Sequence, residues 1–135
     1  MKMKLFFLIA LMLFTSAITE NSPITIYMVG DSTMANRDLT ESPWNKERGW
    51  GMMLGSFFSP DKVVVANHAV CGRSTKSFID EKKWIRVVNQ IKPGDYVFIQ
   101  FGHNDEKKDN PELYTEPGGT FDDNLRKFVN ETRAK

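Results

Sequence analysis

The chain has 135 residues, of which 41% are apolar and 26% charged, and its formal net charge is +1. This length suits one domain or part of one, and the near-neutral charge argues against the basic excess typical of nucleic-acid-binding proteins. Cys71 is the single cysteine, so an intrachain disulfide is excluded and the core must hold the fold. We expect its thiol to be buried and inert.

The N-terminal segment has the pattern of a secretory signal peptide. Lys2 and Lys4 precede an apolar run from Leu5 to Phe14, and small residues follow it as far as Ala17. That run is shorter than the roughly 20 residues of a membrane-spanning helix, although a membrane anchor or a buried helix is the alternative. We therefore predict that residues 1–17 are a signal peptide, that the protein is secreted or periplasmic, and that cleavage leaves it without a membrane segment.

Three apolar runs predict strands. They are "ITIYMV" (24–29), "KVVVAN" (62–67) and "DYVFIQF" (95–101). Each is rich in β-branched and aromatic residues, and none alternates between apolar and polar. Such continuous runs are typical of strands that are buried on both faces of a parallel sheet.

The segments between and after these runs have helical spacing of their apolar residues. The three apolar stripes are Trp50, Met53, Leu54 and Phe57, then Trp84, Val87, Val88 and Ile91, then Phe121, Leu125, Phe128 and Val129. The "KPG" of 92–94 should end the second helix, and Thr120 with Asp123 resembles a capping box for the third. The order β-α-β-α-β-loop-α predicts a parallel α/β sheet, here with three strands where doubly wound folds usually have about five or six.

Polar residues follow each predicted strand. Gly30-Asp31-Ser32-Thr33 follows the first, "NHAVCGRST" (67–75) the second, and Gly102-His103-Asn104-Asp105 the third. We call these the first, second and third corners. Because parallel strands end at one edge of a sheet, the corners should lie together, where ligands gather in such folds.

Acyl transfer would explain all three corners. A serine hydroxyl at a helix N-terminus can attack an ester carbonyl once a base takes its proton. The resulting oxyanion needs fixed donors, and a glycine N–H, an asparagine amide and the N–H of the serine itself are suitable. Taken alone, the first corner is explained better by turn and N-cap chemistry than by catalysis.

At this point the residues carry a resemblance. "GDST", the glycine of "CGRSTKSF" and "GHND" resemble the first three blocks of the SGNH (GDSL-like) hydrolase superfamily. "VGDSTMA", "GWG" and "FGHND" are similar to the rhamnogalacturonan acetylesterases, which are secreted enzymes that remove acetyl groups from pectin. The resemblance implies a flavodoxin-like three-layer α/β/α sandwich with five parallel strands in the order 2-1-3-4-5, and residues 24–135 would be its N-terminal portion, incomplete at the C-terminus.

The resemblance also implies roles for individual residues. Ser32 would be the nucleophile, and its N–H, the N–H of Gly72 and the side chain of Asn104 would form the oxyanion hole. Asp31, Arg73 and His103 would line the site, and Asp31 and Asp105 would hold loops. No cofactor is implied, the sequence shows no metal-ligand spacing, and the partner would be an acetylated polysaccharide. The oligomeric state stays open.

One block of the family is absent. The Asp-x-x-His motif that supplies the base and its orienting acid does not occur, and the only histidines are His68 and His103. His68 is expected to be a loop or partly buried residue, and the histidine that matches His103 is not the base in these relatives. The resemblance therefore predicts a truncated chain that is inactive by itself.

Two other functions fit parts of the sequence. A secreted, non-catalytic carbohydrate-binding or interaction module could use the same scaffold, with Trp44, Trp50 or Trp84 as stacking surfaces, although core packing is the simpler reading of Trp50 and Trp84. Alternatively, the first corner could bind phosphate at a helix N-terminus, but it lacks the lysine and glycines of a P-loop.

Overall fold

The computed structural model describes residues 22–40 and 47–135. The elements are β1 (Ile24–Gly30), α1 (Gly51–Leu54), a 3-10 turn (Gly55–Phe57), β2 (Val63–Asn67), α2 (Thr75–Asp80), α3 (Lys83–Val88), β3 (Tyr96–Gln100) and α4 (Thr120–Arg133). The predicted signal peptide and Trp44 lie outside the described residues. Within the described ranges, no helix is long and apolar enough to cross a membrane.

The three strands form one parallel sheet in the order β2-β1-β3. Tyr27 of β1 lies opposite Ala66 of β2 and Val97 of β3. The predicted strands and their parallel direction are therefore confirmed. The expected burial on both faces is wrong for β2 and β3, where Val64, Tyr96 and Phe98 are exposed. β1 is the central strand and is buried from Ile26 onward, which is why its apolar run does not alternate.

Helices cover the two faces of the sheet unequally. Tyr27 and Val29 pack in one cluster with Trp84 of α3 and Phe128 of α4. Met28 lies on the opposite face and packs with Ile26 and Met34, and with Leu54 of α1 as a partly buried neighbour. Successive side chains of a strand point to opposite faces, so β1 contributes to both clusters and gives three layers, α/β/α.

The predicted apolar stripe on the first helix is wrong. α1 has only four residues, and Trp50, Met53 and Phe57 are 41%, 59% and 76% exposed. Backbone contact positions α1 instead, because a Cβ at Gly51 would lie 2.5 Å from both Met34 O and Asn67 Nδ2. Close approach of the chain, which only glycine permits, replaces the expected side-chain packing.

The second predicted helix is confirmed with a changed boundary. All four residues of its apolar stripe are buried, but α3 ends at Val88, four residues before "KPG". The sequence reading missed α2, which Ser74 starts with a capping box in which Ser77 is the partner. Lys82, with a left-handed φ of 58°, separates α2 from α3.

The third predicted helix is confirmed as α4, but its predicted cap is wrong. The N-cap residue is Gly119, with no side-chain cap hydrogen bond. Thr120 Oγ1 instead accepts from the N–H of Glu116 at 2.9 Å, and Asp123 pairs with Arg126 at 2.8 Å. Tertiary packing explains the position of α4, since the Phe128 ring lies 4.7 Å from the Trp84 ring, centroid to centroid.

Candidate active site

The first corner is a single helical turn. The Asp31 carbonyl oxygen accepts from the N–H groups of Met34 and Ala35 at 3.3 and 3.0 Å, and no helix continues from it. The expected helix N-terminus at Ser32 is therefore wrong. Asp31 is 2% exposed, and its Oδ1 accepts from the N–H and hydroxyl of Thr33 at 2.9 and 2.8 Å. The carboxylate thus holds the turn that presents Ser32, which is half-buried.

Backbone hydrogen bonds join the first corner to the ends of both neighbouring strands. Val70 N–H donates to Gly30 O at 2.9 Å, and Asp31 N–H donates to Gln100 O at 3.3 Å. A Cβ at Gly30 would lie 2.5 Å from that same Gln100 oxygen, so glycine is required for the close approach. The three corners therefore remain together at the carboxyl edge of the sheet.

The second corner places Gly72 in a tight turn. Arg73 N–H donates to Val70 O at 3.3 Å, and Gly72 occupies the third turn position with a φ of +73°, where a type II turn favours glycine. A Cβ on Gly72 would meet nothing within 4 Å, so its backbone is open. A cavity of about 380 Å³ lies beside Gly72 and Arg73, but Ser32 and Asn104 are not among its lining residues.

The third corner holds a buried amide. Asn104 is 1% exposed, and its Nδ2 donates to the Arg73 carbonyl oxygen at 3.1 Å. Its Oδ1 accepts from Lys107 Nζ at 2.7 Å. Because Nδ2 carries two hydrogens, one is not used by this hydrogen bond.

Asp105 connects the third corner to α2 and to the long loop. Its Oδ1 accepts from Thr75 N–H at 2.9 Å, from the Thr75 hydroxyl at 2.5 Å and from the Thr115 hydroxyl at 2.9 Å. Its Oδ2 is buried and has no hydrogen-bond partner. One oxygen thus fixes the segment on which the neighbouring Asn104 sits.

Several backbone N–H groups of the described corners form no hydrogen bond, and those of Ser32 and Gly72 are among them. Within the described part of the chain, no hydrogen bond uses the N–H of Ser32 or of Gly72, and the Ser32 hydroxyl has no partner. Together with the second hydrogen of Asn104, the linked corners offer three donors and one free hydroxyl. Fixed N–H donors and a free hydroxyl are the kinds of group that a tetrahedral oxyanion and its nucleophile require.

The side chain of Arg73, a predicted site residue, is bonded to residues other than Ser32 and Asn104. Arg73 pairs with Glu81 at 2.9 Å and donates to Cys71 O; Cys71 itself is half-buried. Hydrogen bonds from Lys83 and then Arg73 lower the pKa of the Glu81 carboxyl.

The two histidines form no hydrogen bond to Ser32. The ring of His68 stacks on Tyr27 at 5.9 Å, and burial lowers its pKa. His103 is exposed, with its Nδ1 3.6 Å from Glu106. Neither histidine is therefore placed to act as the base for Ser32. The described residues also contain no cluster of three metal-ligating side chains.

Sequence reasoning missed three supports of the site: Asn67, Thr75 and Lys107. Asn67 Nδ2 donates at 2.9 Å to Met34 O and at 2.9 Å to Asn36 Oδ1, which ties the end of β2 to the first corner. The sequence signal for Asn67 was its position as a polar residue at the end of an apolar strand. Thr75 bonds to Asp105, 30 residues away, and Lys107 bonds to Asn104, three residues before it, and no sequence pattern indicates either contact.

Comparison with known proteins gives consistent matches. The GDSL-like Lipase/Acylhydrolase family matches residues 28–135. The probable rhamnogalacturonan acetylesterase YesY of Bacillus subtilis is 39% identical over 110 residues, which are 82% of this chain and 48% of that protein. Rhamnogalacturonan acetylesterase RhgT of the same organism is 40% identical over 113 residues, which are 84% of this chain and 45% of RhgT. The chain therefore spans about half the length of these relatives.

A solved structure agrees with the fold. The crystal structure of Bacillus subtilis YxiM superimposes with a TM-score of 0.72 at 31% identity, covering 84% of this chain and 30% of that one. This match confirms the predicted α/β class with a parallel sheet between helices, and the described part holds three of the five expected strands.

Proposed function

Because the chain belongs to the GDSL-like lipase/acylhydrolase family, we propose that it carries the nucleophile and oxyanion hole of a serine esterase that removes acetyl groups from pectic polysaccharide. The family is one of ester hydrolases, and curated relatives at 38–40% identity are named rhamnogalacturonan acetylesterases. The observation that carries the proposal is the free hydroxyl and free N–H of Ser32, in corners hydrogen-bonded to those of Gly72 and Asn104.

The proposed reaction is acetyl transfer through Ser32. Its Oγ attacks the acetyl carbonyl carbon and passes its proton to a base. The carbonyl oxygen becomes an oxyanion, which accepts from the N–H groups of Ser32 and Gly72 and from Asn104 Nδ2. Collapse of the intermediate breaks the bond to the sugar oxygen, which leaves as the protonated hydroxyl, and water then hydrolyses the acetyl-serine.

No base for this chemistry is placed at Ser32 by the described residues. Ser32 Oγ has no hydrogen-bond partner among the described residues, and His68 is held against Tyr27. Losing one member of a catalytic triad leaves only about 10³- to 10⁴-fold catalysis over water, from the oxyanion hole and binding. We therefore propose that this chain alone turns over very slowly and that an added base restores part of the rate.

Chemical rescue tests the proposal directly. The chain is incubated with an activated aryl acetate, with and without imidazole, and both phenol release and the mass of the protein are followed. We expect one acetyl group on Ser32 and an imidazole-dependent rise in phenol release. Ser32→Ala should remove both, after subtraction of the reaction of imidazole with the ester.

Ser56→Ala is the matched control. Ser56 Oγ donates to Met53 O within its own turn, so this hydroxyl is already bonded and lies outside the corners. Its loss should leave acetylation unchanged. Acetylation that persists in Ser32→Ala, or that never occurs in the wild type, would refute the proposal.

A non-catalytic sugar-binding module is the alternative, and the exposure of Trp50 favours it. The backbone N–H of Trp50 donates to Thr33 O at 3.0 Å, so this half-exposed residue lies next to the first corner. The test is whether acetylated pectic oligosaccharide quenches the tryptophan fluorescence. Quenching that is lost in Trp50→Ala and kept in Ser32→Ala, with no acetylation of Ser32 in the wild type, would favour this function.

We also propose export of the protein. The support is the charged, apolar and small-residue pattern of residues 1–17, together with the proposed polysaccharide substrate, which would lie outside the cell. N-terminal sequencing of the protein recovered from the culture medium or periplasm tests this, and a retained Lys2 and Lys4 would contradict it.

A further inference from the structure

Lys107 lies against the amide that the proposed site uses as a donor. Its ammonium donates to Asn104 Oδ1 over 2.7 Å, and its backbone N–H lies 3.4 Å from the Asn104 carbonyl oxygen. We propose, on the basis of the proposed function, that Lys107 is a positioning residue that orients and polarises the Asn104 amide for the oxyanion.

The contact fixes which way the amide faces. An asparagine side chain has an acceptor oxygen and an NH₂ group, whereas an ammonium can only donate. Lys107 therefore holds Oδ1 on its own side and directs Nδ2 to Arg73, whose carbonyl oxygen accepts at 3.1 Å. Arg73 follows Gly72 in the chain, so this hydrogen bond holds Nδ2 near the corner that carries the proposed backbone donor and leaves its second hydrogen unused.

The contact also strengthens the donor. A cation on Oδ1 draws electron density from the amide nitrogen, and hydrogen bonds in a chain polarise one another. Charge-assisted hydrogen bonds are roughly twice as strong as neutral ones. Asn104 is buried and Lys107 is exposed, so water screens part of this effect.

The surroundings of Lys107 argue against an ordinary surface ion pair. Within residues 22–40 and 47–135, Lys107 forms no ion pair, although Glu106 and Asp109 are close in sequence. Lys76, Lys83 and Lys127 do pair with carboxylates. The ammonium of Lys107 instead contacts a neutral, buried amide.

NMR of the intact chain tests the contact without requiring turnover. The Asn104 side-chain amide signals, assigned by their loss in Asn104→Asp, are compared among wild type, Lys107→Met and Lys107→Arg at neutral pH. We expect the signals to shift in Lys107→Met, because the charge on Oδ1 is lost. Lys107→Arg should keep their position, because arginine also places a charged donor there.

The control is Lys108→Met, since the Lys108 ammonium lies 5.9 Å from the Tyr114 ring and should leave the Asn104 signals unchanged. Asn104 signals that do not move in Lys107→Met would overturn the proposal.

Kinetics provide the second readout. The Ser32-dependent acetylation rate at saturating ester should fall about 10-fold in Lys107→Met, less than the 100- to 1000-fold typical of losing a donor outright. The ester concentration at half-saturation should not change, and Lys107→Arg should restore the rate to within about threefold. An equal loss of rate in Lys107→Arg, or a change in the half-saturating ester concentration alone, would refute the polarising role.

If wild-type Ser32 is not acetylated, the proposed function fails, while the NMR experiment still decides whether Lys107 orients the Asn104 amide.

Discussion

Asp105 and Thr75 are joined by two hydrogen bonds to one carboxylate oxygen: Asp105 Oδ1 accepts both the N–H and the hydroxyl of Thr75, at 2.9 and 2.5 Å. The bonds cross from the third corner to the first residue of α2. Thr75 Oγ1 in turn accepts from Asn124 of α4 at 3.0 Å. The corner that carries Asn104 is therefore fixed to two helices.

This arrangement predicts that Asp105 is a major determinant of stability. Asp105→Ala leaves three buried donors without an acceptor, so we expect a loss of about 3 kcal/mol or more in the free energy of unfolding, measured in urea. Asp105→Asn keeps an acceptor but places an NH₂ group in the position of the unpartnered Oδ2, and should cost less. Asp109→Ala, at an exposed loop position, is the control. Equal stabilities of Asp105→Ala and Asp109→Ala would contradict the prediction.

The residues show why some features could be predicted and others not. The strands and α3 followed from apolar runs and spacing, because burial on both faces of β1 and on one face of α3 decides them. The apolar stripe of α1 failed since contacts of Gly51 backbone, invisible to any periodicity, place that helix. The bonds of Asp105 to Thr75 and Thr115 depend on segments 30 and 10 residues away, so sequence indicated only that polar groups gather at one edge.

Three glycines should respond differently to alanine. Gly55→Ala should stabilise the protein by about 0.5–1 kcal/mol, because its φ of −61° is helical and the nearest atom to the new Cβ is 3.9 Å away. Gly72→Ala has space but a φ of +73°, and should cost about 1–2 kcal/mol. Gly51→Ala meets Met34 O at 2.5 Å and should cost about 3 kcal/mol. Urea unfolding of the three variants tests the order, and a Gly72→Ala variant as stable as the wild type would disprove the strain.

His68 should make stability depend on pH in a defined window. Burial lowers its pKa below the ordinary 6.5, so the unfolded chain binds the proton more tightly than the folded chain does. The contribution of neutral His68 to the free energy of unfolding is fully present above about pH 6.5. It is lost as pH falls through that value toward the pKa of His68 in the folded chain. His68→Phe keeps an aromatic ring against Tyr27 and should flatten the thermal stability curve in this range.

The carboxyl groups act in a separate, more acidic window. A hydrogen bond from Lys127, and more weakly one from Trp84, lower the pKa of Glu131 below 4.5. The contribution of ionised Glu131 to the free energy of unfolding is therefore lost only as pH falls below about 4.5.

His103→Phe, at an exposed position, is the control for His68→Phe. Curves of wild type and His68→Phe that run parallel between pH 7 and 5 would rule out the role of His68.

Asn67 should matter to the first corner more than its half-buried position suggests. Its Nδ2 donates to two acceptors of that corner, Met34 O and Asn36 Oδ1, both at 2.9 Å. Asn67→Asp replaces the donor by an oxygen facing those oxygens, and we expect a loss of about 2–4 kcal/mol, against about 1–2 kcal/mol for Asn67→Ala. Because Met34 closes the turn that presents Ser32, acetylation of Ser32 should slow in both variants. Asn130→Asp, exposed on α4, should change neither quantity, and an Asn67→Asp variant with wild-type stability and acetylation would show that this link does not hold the corner.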